Sequence, residues 1–410
     1  MTETGKTSGE FPWRARTAVL TLGTFVVGTD GFIIVGLLPK IQQTLHVSTA
    51  AAGQLVSVFA FSYALLGPIL ATLTGLWPRR RVLVTGVALL AVGNAVTASA
   101  HVYGLVLASR VLAGCGAALF VASAVATAAH LAGDQQRGRA ISMVTAGATL
   151  SLVLGAPLGT LIGGAWGWQK AIWFVAVVAA VVAIVLTVLL PPIKLDQKAT
   201  LRQRITPLTD WRVLRILIVT LLAFIGIFLP FTYMSAVFAP ALHGHESGLA
   251  LLLLVFGIAA TAGNLTAGSL ADRYGPRRVV IGATLGVAAV FLIMLPIRDV
   301  FVLVVIAEAL SGVVSYSVIG PQQHRIIAYA PPGGTSLVTS LNTSTGYLGQ
   351  FLSSVIGAGL LTATGSAVLL PVAAGFAALA ALLTWWLSRA GREGGEQAAG
   401  ETGMVATTTK

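Results

Sequence analysis

Charge is scarce in this chain, and acidic charge is scarcest. Of 410 residues only 9% are charged, and only 13 are Asp or Glu. A soluble domain carries roughly 25% charged residues, so a water-facing surface of the usual kind is excluded. Cysteine occurs once, at Cys115, which rules out an internal disulfide and a cysteine-rich metal site. The six histidines show no metal-ligand spacing, and His243 and His245 read as surface residues of a loop. No G-x-x-x-x-G-K-[ST] phosphate loop is present, so ATP is not expected as the energy source. No catalytic constellation appears either, and no enzyme, cofactor or metal is expected. Period-2 alternation of the outer-membrane-barrel type is absent as well.

Apolar sequence fills the space that charge leaves. Hydrophobic residues make up 56% of the chain and the mean hydropathy is +0.89. Twelve apolar runs recur, near 17–38, 50–75, 82–100, 103–131, 140–165, 171–190, 214–239, 247–270, 279–297, 300–323, 334–362 and 366–388. Each is near the ~20 residues a helix needs to cross ~30 Å of hydrocarbon. With no barrel pattern, helices are the spanning element that satisfies its own backbone. The first run is too long for a signal-peptide core, and no small-residue cleavage site follows it, so no cleaved leader is expected.

The net charge of +12 follows orientation. With the N-terminus in the cytoplasm and the sides alternating, 21 Lys and Arg fall in cytoplasmic segments and 3, namely Lys40, Lys170 and Arg298, in outer loops. Arg110 is left inside a span. This is the positive-inside pattern, and it predicts both termini in the cytoplasm. A membrane need thus accounts for the basic charge, and nucleic-acid binding is not expected. The polar, Gly-rich tail after Arg389 reads as disordered.

The chain is a doubled unit. LTGLWPRRRVLVTG from Leu73 and LADRYGPRRVVIGA from Leu270 are alike at an offset of 197 residues. Six spans lie in each half, 17–190 and 214–388, joined by the polar linker 191–213. A 1–16 tail precedes them and a 389–410 tail follows. Parallel six-helix repeats with a site at their interface are a recurrent transporter architecture.

These residues carry a family resemblance. GNLTAGSLADRYGPRR (Gly263–Arg278) is similar to motif A of the major facilitator superfamily. That resemblance implies a gate lock by Asp272 and Arg273, with Gly268, Gly275, Arg277 and Arg278 shaping the turn. The first-half copy departs from the pattern, with Gly75 where Asp is expected, Leu76 for Arg and Pro78 for Gly. Only Arg79–Arg81 carry over there, as inner-surface charges. RVLAGCGAALF (Arg110–Phe120) resembles motif B, whose Arg is linked to proton coupling. GAPLGTLIGG (Gly155–Gly164) resembles the fifth-helix antiporter motif C. GTDGFIIVGLLPKI (Gly28–Ile41) and SLNTSTGYLGQ (Ser340–Gln350) are similar to the twelve-span drug:proton antiporter branch. The implied fold is an all-α integral membrane protein of two six-helix repeats.

Asp30, Arg110 and Glu308 are charges deep inside apolar spans. Such a charge costs at least ~2.5–3.5 kcal/mol on insertion scales. Counting from the span ends at ~1.5 Å per residue puts all three roughly 10–14 Å below the outer edge. Adding 197 to position 110 lands one short of Glu308. The family fold implies that their helices line the central cavity. Burial disfavours a charged carboxyl and a nearby Arg favours it, a balance that suits proton loading and release. The expectation is a protonatable pair or triad, with Asp30 as carrier, Arg110 as its counter-charge, and a substrate group competing with the proton there. The structural alternative is a static ion pair that fixes helix packing.

Other features are weaker. Gly155, Pro157, Gly159, Gly163 and Gly164 suggest a bent, closely packed fifth helix. Asn342, Gln350 and the GPQQHR segment (Gly320–Arg325) place amides at membrane depth, lining the cavity or bonding between helices. Phe32, Phe61, Tyr63, Phe120, Phe228, Phe231, Tyr233 and Tyr347 are candidates for an aromatic substrate wall.

The functional expectation is a monomeric, multi-pass secondary exporter of the bacterial inner membrane. It moves a small amphipathic compound outward against inward proton flow, with no cofactor. Export of a sugar, nucleoside or self-made metabolite is the alternative within transport. A non-transporting receptor or scaffold of the same fold is the alternative outside it.

Overall fold

The computed structural model describes residues 13–193, 200–330 and 334–386. The 389–410 tail, residues 1–12 of the N-terminal tail and residues 194–199 of the linker lie outside them. Among the described residues there are twelve helices long and apolar enough to span a membrane and no strand. In the first half these are α1 (Trp13–Leu45), α2 (Thr49–Leu73), α3 (Arg79–Ser99), α4 (Tyr103–Gly133), α5 (Gln135–Trp166) and α6 (Trp168–Leu189). In the second they are α7 (Trp211–Thr232), α8 (Ser247–Tyr274), α9 (Pro276–Ile297), α10 (Phe301–Ile327), α11 (Leu337–Ala363) and α12 (Ser366–Trp386). Most extend beyond the apolar runs by several residues at one or both ends, because polar residues complete turns outside the hydrocarbon. A short linker helix, Leu201–Ile205, lies between the halves and begins with a capping box at Thr200 and Gln203.

Local chemistry sets the breaks. Gly133 (φ 68°) separates α4 from α5, and Gly275 (φ 86°) separates α8 from α9. Both need a conformation that only glycine adopts cheaply. Pro157 has no N–H for the carbonyl four residues back, and the backbone answers with a π-helical turn at Ser151–Gly155. Pro321 likewise leaves the Ser317 carbonyl without its helical partner, and α10 unwinds between Tyr316 and Ile319.

Helix faces divide between lipid and protein. Val177, Val181, Ile184 and Val188 stand exposed on α6, and Trp77, Trp166, Trp211 and Trp386 stand exposed at helix ends. Tryptophan at ends and aliphatics between them is the pattern of a bilayer-facing belt. The α1–α5 seam is unusually close. A Cβ at Gly155 would fall 2.1 Å from Thr29 Oγ1, at Gly159 2.1 Å from Ile33 Cγ1, and at Gly163 2.1 Å from Leu37 Cδ2. The four-residue period keeps these glycines on one helix face.

Between the halves α2 packs on α11 and α5 packs on α8. The repeat maps α2 to α8 and α5 to α11, so these seams are counterparts. They flank a central space that opens at the end of the bundle carrying Arg79, Arg137 and Arg204.

Candidate functional site

Two spaces lie between the halves. The larger, about 940 Å³, opens at the arginine-rich end among α2, α4, α5 and α11. The smaller, about 190 Å³, lies against α1, α7, α10 and α11. Thr343 lines both. Tyr63 of α2 and Tyr347 of α11 stack across the halves at 3.7 Å between ring centroids. Tyr63 faces the larger space and Tyr347 the smaller.

The smaller pocket is aromatic and amide-lined. Phe32, Phe224, Phe228, Tyr316 and Tyr347 supply rings, and Gln322, Gln323, Asn342 and Gln350 supply amides. Among its described lining residues there is no Asp, Glu, Lys or Arg. The amides are held by a chain of hydrogen bonds. Arg325 Nη1 donates to Gln322 Oε1 at 2.6 Å, and Gln322 Nε2 donates to Thr220 Oγ1 at 2.9 Å. Thr220 Oγ1 donates to Asn342 Oδ1 at 2.8 Å, and Asn342 Nδ2 donates to Gln323 Oε1 at 2.8 Å. The chain joins α7, α10 and α11, so Asn342 both lines the pocket and ties helices together. The unwound step of α10 adjoins the pocket, as broken helices do at midplane sites.

Beside the pocket lies a buried ion pair. Arg110 Nη1 donates to Asp30 Oδ1 at 2.7 Å, with both side chains 0% exposed. Arg110 Nη2 donates to the Asp30 backbone carbonyl at 3.2 Å, and Nη1 reaches Asn94 Oδ1 at 3.5 Å. The guanidinium lies 4.8 Å from the Phe59 ring centroid, a cation–π contact. Asp30 Oδ2 is buried with no hydrogen-bond partner. That oxygen is an acceptor left open on an otherwise engaged carboxylate.

The pair faces α4 and not the pocket. Val27, Gly28, Gly31 and Phe32 of α1 line the pocket, and Asp30 does not. In this state the carboxylate and the pocket therefore lie on different faces of α1. Of the expected pair or triad, Asp30 and Arg110 are in contact and Glu308 stands apart. Glu308 is 4% exposed, on the face of α10 packed against α8 and α9, and makes no hydrogen bond among the described residues. Depth alone could not tell that the helix faces differ.

The remaining candidates are placed as follows. Phe120 is fully buried against Gly23 and lines neither space. Phe231 stands behind the pocket wall, its centroid 5.9 Å from Phe32 edge-to-face. Phe61 is exposed and meets Phe351 at 5.0 Å. Tyr233 lies just past α7, between Gly53 and Gly357, and donates to the Ser354 carbonyl at 2.7 Å. These four are packing or seam residues and not pocket wall. Asp272 is exposed with no hydrogen bond or ion pair among the described residues, so the expected lock is not made in this state. Arg273 lies 5.2 Å from the Tyr274 ring, and Arg277 donates to the Trp385 carbonyl at 3.5 Å. Asn94, Phe224 and Tyr316 were not anticipated. A lone Asn in an apolar span was the available signal for Asn94.

The sequence model of the Major Facilitator Superfamily matches residues 20–239 and 216–408. The chain belongs to the Major Facilitator Superfamily. Members are transporters and not enzymes. The MFS-type transporter YbcL of Bacillus subtilis is 31% identical over 343 residues, covering 83% of this chain and 86% of YbcL. A chloramphenicol resistance protein of Streptomyces lividans is 29% identical over 332 residues, covering 80% and 84%. These relatives are consistent with the drug:proton antiporter branch. A crystal structure of a mutant nucleoside transporter NupG superposes with a TM-score of 0.75 at 13% identity, covering 91% of this chain and 99% of that one. At that identity the match speaks for the fold alone.

Proposed function

We propose that this transporter exports a small, uncharged aromatic compound in exchange for protons. The observation that carries the reading is the buried Asp30–Arg110 pair, with Asp30 Oδ2 unpartnered, one helix away from a pocket lined by rings and amides. A pocket without charge offers a charged substrate no compensation for leaving water. Neutral molecules with an aryl group and amide or hydroxyl groups suit it. The similarity to a chloramphenicol resistance protein supports chloramphenicol, an uncharged aryl amide, as the first substrate to test.

Coupling runs through α1. In the ion-paired state Arg110 grips both the carboxylate and the backbone of Asp30. A proton on Asp30 removes the charge that Arg110 holds and loosens α1 from α4. The same helix carries Gly28, Gly31 and Phe32 of the pocket wall, so protonation and substrate occupancy act on one element. Two states of that element, each favoured by a different ligand, are what alternating exchange requires. In this reading the arginine-rich end is cytoplasmic, both termini lie there, and the protein is a monomer of the bacterial inner membrane. The proton gradient is its energy source, and neither a cofactor nor a nucleic acid takes part.

Reconstitution in proteoliposomes tests this. An imposed pH gradient should drive labelled chloramphenicol opposite to proton flow, and nigericin should abolish the effect. Substrate distribution indifferent to the gradient would refute antiport.

A further inference from the structure

The mouth of the larger cavity gathers positive charge that no carboxylate among its described lining residues answers. Arg79, the first residue of α3, lines that cavity yet is only 4% exposed. Its Nε and Nη2 are buried without a hydrogen-bond partner. Arg204 of the linker helix lines the same cavity, with Nη2 donating to the Ala71 carbonyl at 3.3 Å and a buried, unpartnered Nε. Arg79 and Arg204 thus line the same end of one cavity. No carboxylate is among the described residues lining the cavity. Gly75 stands in this turn where the second-half copy has Asp272, so the turn carries no carboxylate of its own.

A buried guanidinium with unpartnered donors at a helix N-terminus, Arg79, with half-buried Arg204 lining the same cavity, is costly unless an anion joins them. Their planar donor sets match the oxygens of a phosphate. We propose that Arg79 and Arg204 form a binding site for a phosphate oxyanion at the mouth of the cavity. The flanks favour a phospholipid headgroup as its source. Leu73, Leu76 and Trp77 on one side and Leu201 and Ile205 on the other are exposed apolar side chains, suited to acyl chains and the membrane interface. A bound phosphate would hold the linker helix on the α2–α3 turn and so restrain the segment that connects the halves.

Thermal unfolding of the purified full chain in detergent tests the site. The probes are phosphatidylglycerol, phosphatidylcholine and inorganic phosphate. The proteins are the wild type, Arg79→Gln, Arg204→Gln and Arg81→Gln, the last an exposed neighbour outside the cavity lining. Phosphatidylglycerol should raise the wild-type Tm by several degrees more than phosphatidylcholine. That excess should fall by at least half in Arg79→Gln and Arg204→Gln and persist in Arg81→Gln. The same arginine-dependent shift with inorganic phosphate alone also supports the site and assigns it to soluble phosphates. If Arg79→Gln does not fold, Arg204→Gln on the surface helix carries the test. Shifts equal in all four proteins, or no shift with any probe, would overturn the proposal.

Discussion

The Ser354 hydroxyl donates to the Gly53 carbonyl at 2.8 Å, joining α11 to α2 across the halves. Tyr233 bonds the Ser354 carbonyl and fills the space that Gly53 and Gly357 leave; a Cβ at Gly53 would sit 2.3 Å from its hydroxyl. This cluster closes the bundle at the end opposite the arginines. Ser354→Ala removes one hydrogen bond, worth about 1 kcal/mol and thus roughly fivefold in the ratio of closed to open. Spin labels at His46→Cys and His245→Cys, on a Cys115→Ala background, should report a larger long-distance population in Ser354→Ala. An unchanged distance distribution would remove the hydrogen bond from the gate.

The glycine face of α5 makes a packing prediction. Gly159→Val puts two methyl groups where Ile33 stands, and overpacking of this kind costs about 1–3 kcal/mol. Its Tm should drop by several degrees and transport should fail. Gly268→Ala is the control, since nothing lies within 4 Å of a Cβ there. It should unfold at the wild-type temperature.

Asn342 is the amide best placed to meet a substrate. Asn342→Leu leaves the Thr220 and Gln323 groups without their partner, a loss of about 1–3 kcal/mol. The KM for chloramphenicol should rise about tenfold while the maximal rate is largely kept. A fall in maximal rate at constant KM would make Asn342 structural.

Glu308 has no counter-charge among the described residues and does not touch the Asp30–Arg110 pair. Glu308→Gln should therefore keep gradient-driven transport and raise the Tm, because a buried acid without a partner is replaced by a neutral amide. Loss of pH coupling in that variant would restore Glu308 to the proton path.

Much of this was legible in the sequence because lipid simplifies the code. Apolar length gives the spans, basic loops predict the sides, and the 197-residue offset gives the repeat. Asp30 and Arg110 were found for the same reason: a charge in hydrocarbon is costly and marks itself. Helix faces were not legible. Asp30 is one residue from Gly31, yet one meets α4 and the other the pocket. Aromatic type was equally silent, since Phe120 in the core and Phe228 in the pocket wall sit in similar apolar runs. The break in α10 did have a sign in Gly320–Pro321, but the effect of Pro321 falls four residues upstream.

Asp30 at the centre of coupling is tested most directly by comparing exchange with uphill transport in Asp30→Asn. The amide introduced by that substitution still offers Arg110 an oxygen but cannot cycle a proton. In proteoliposomes the variant should exchange labelled for unlabelled chloramphenicol at a rate near wild type and fail to accumulate it against a pH gradient. Gradient-driven accumulation at the wild-type level in Asp30→Asn would contradict the mechanism.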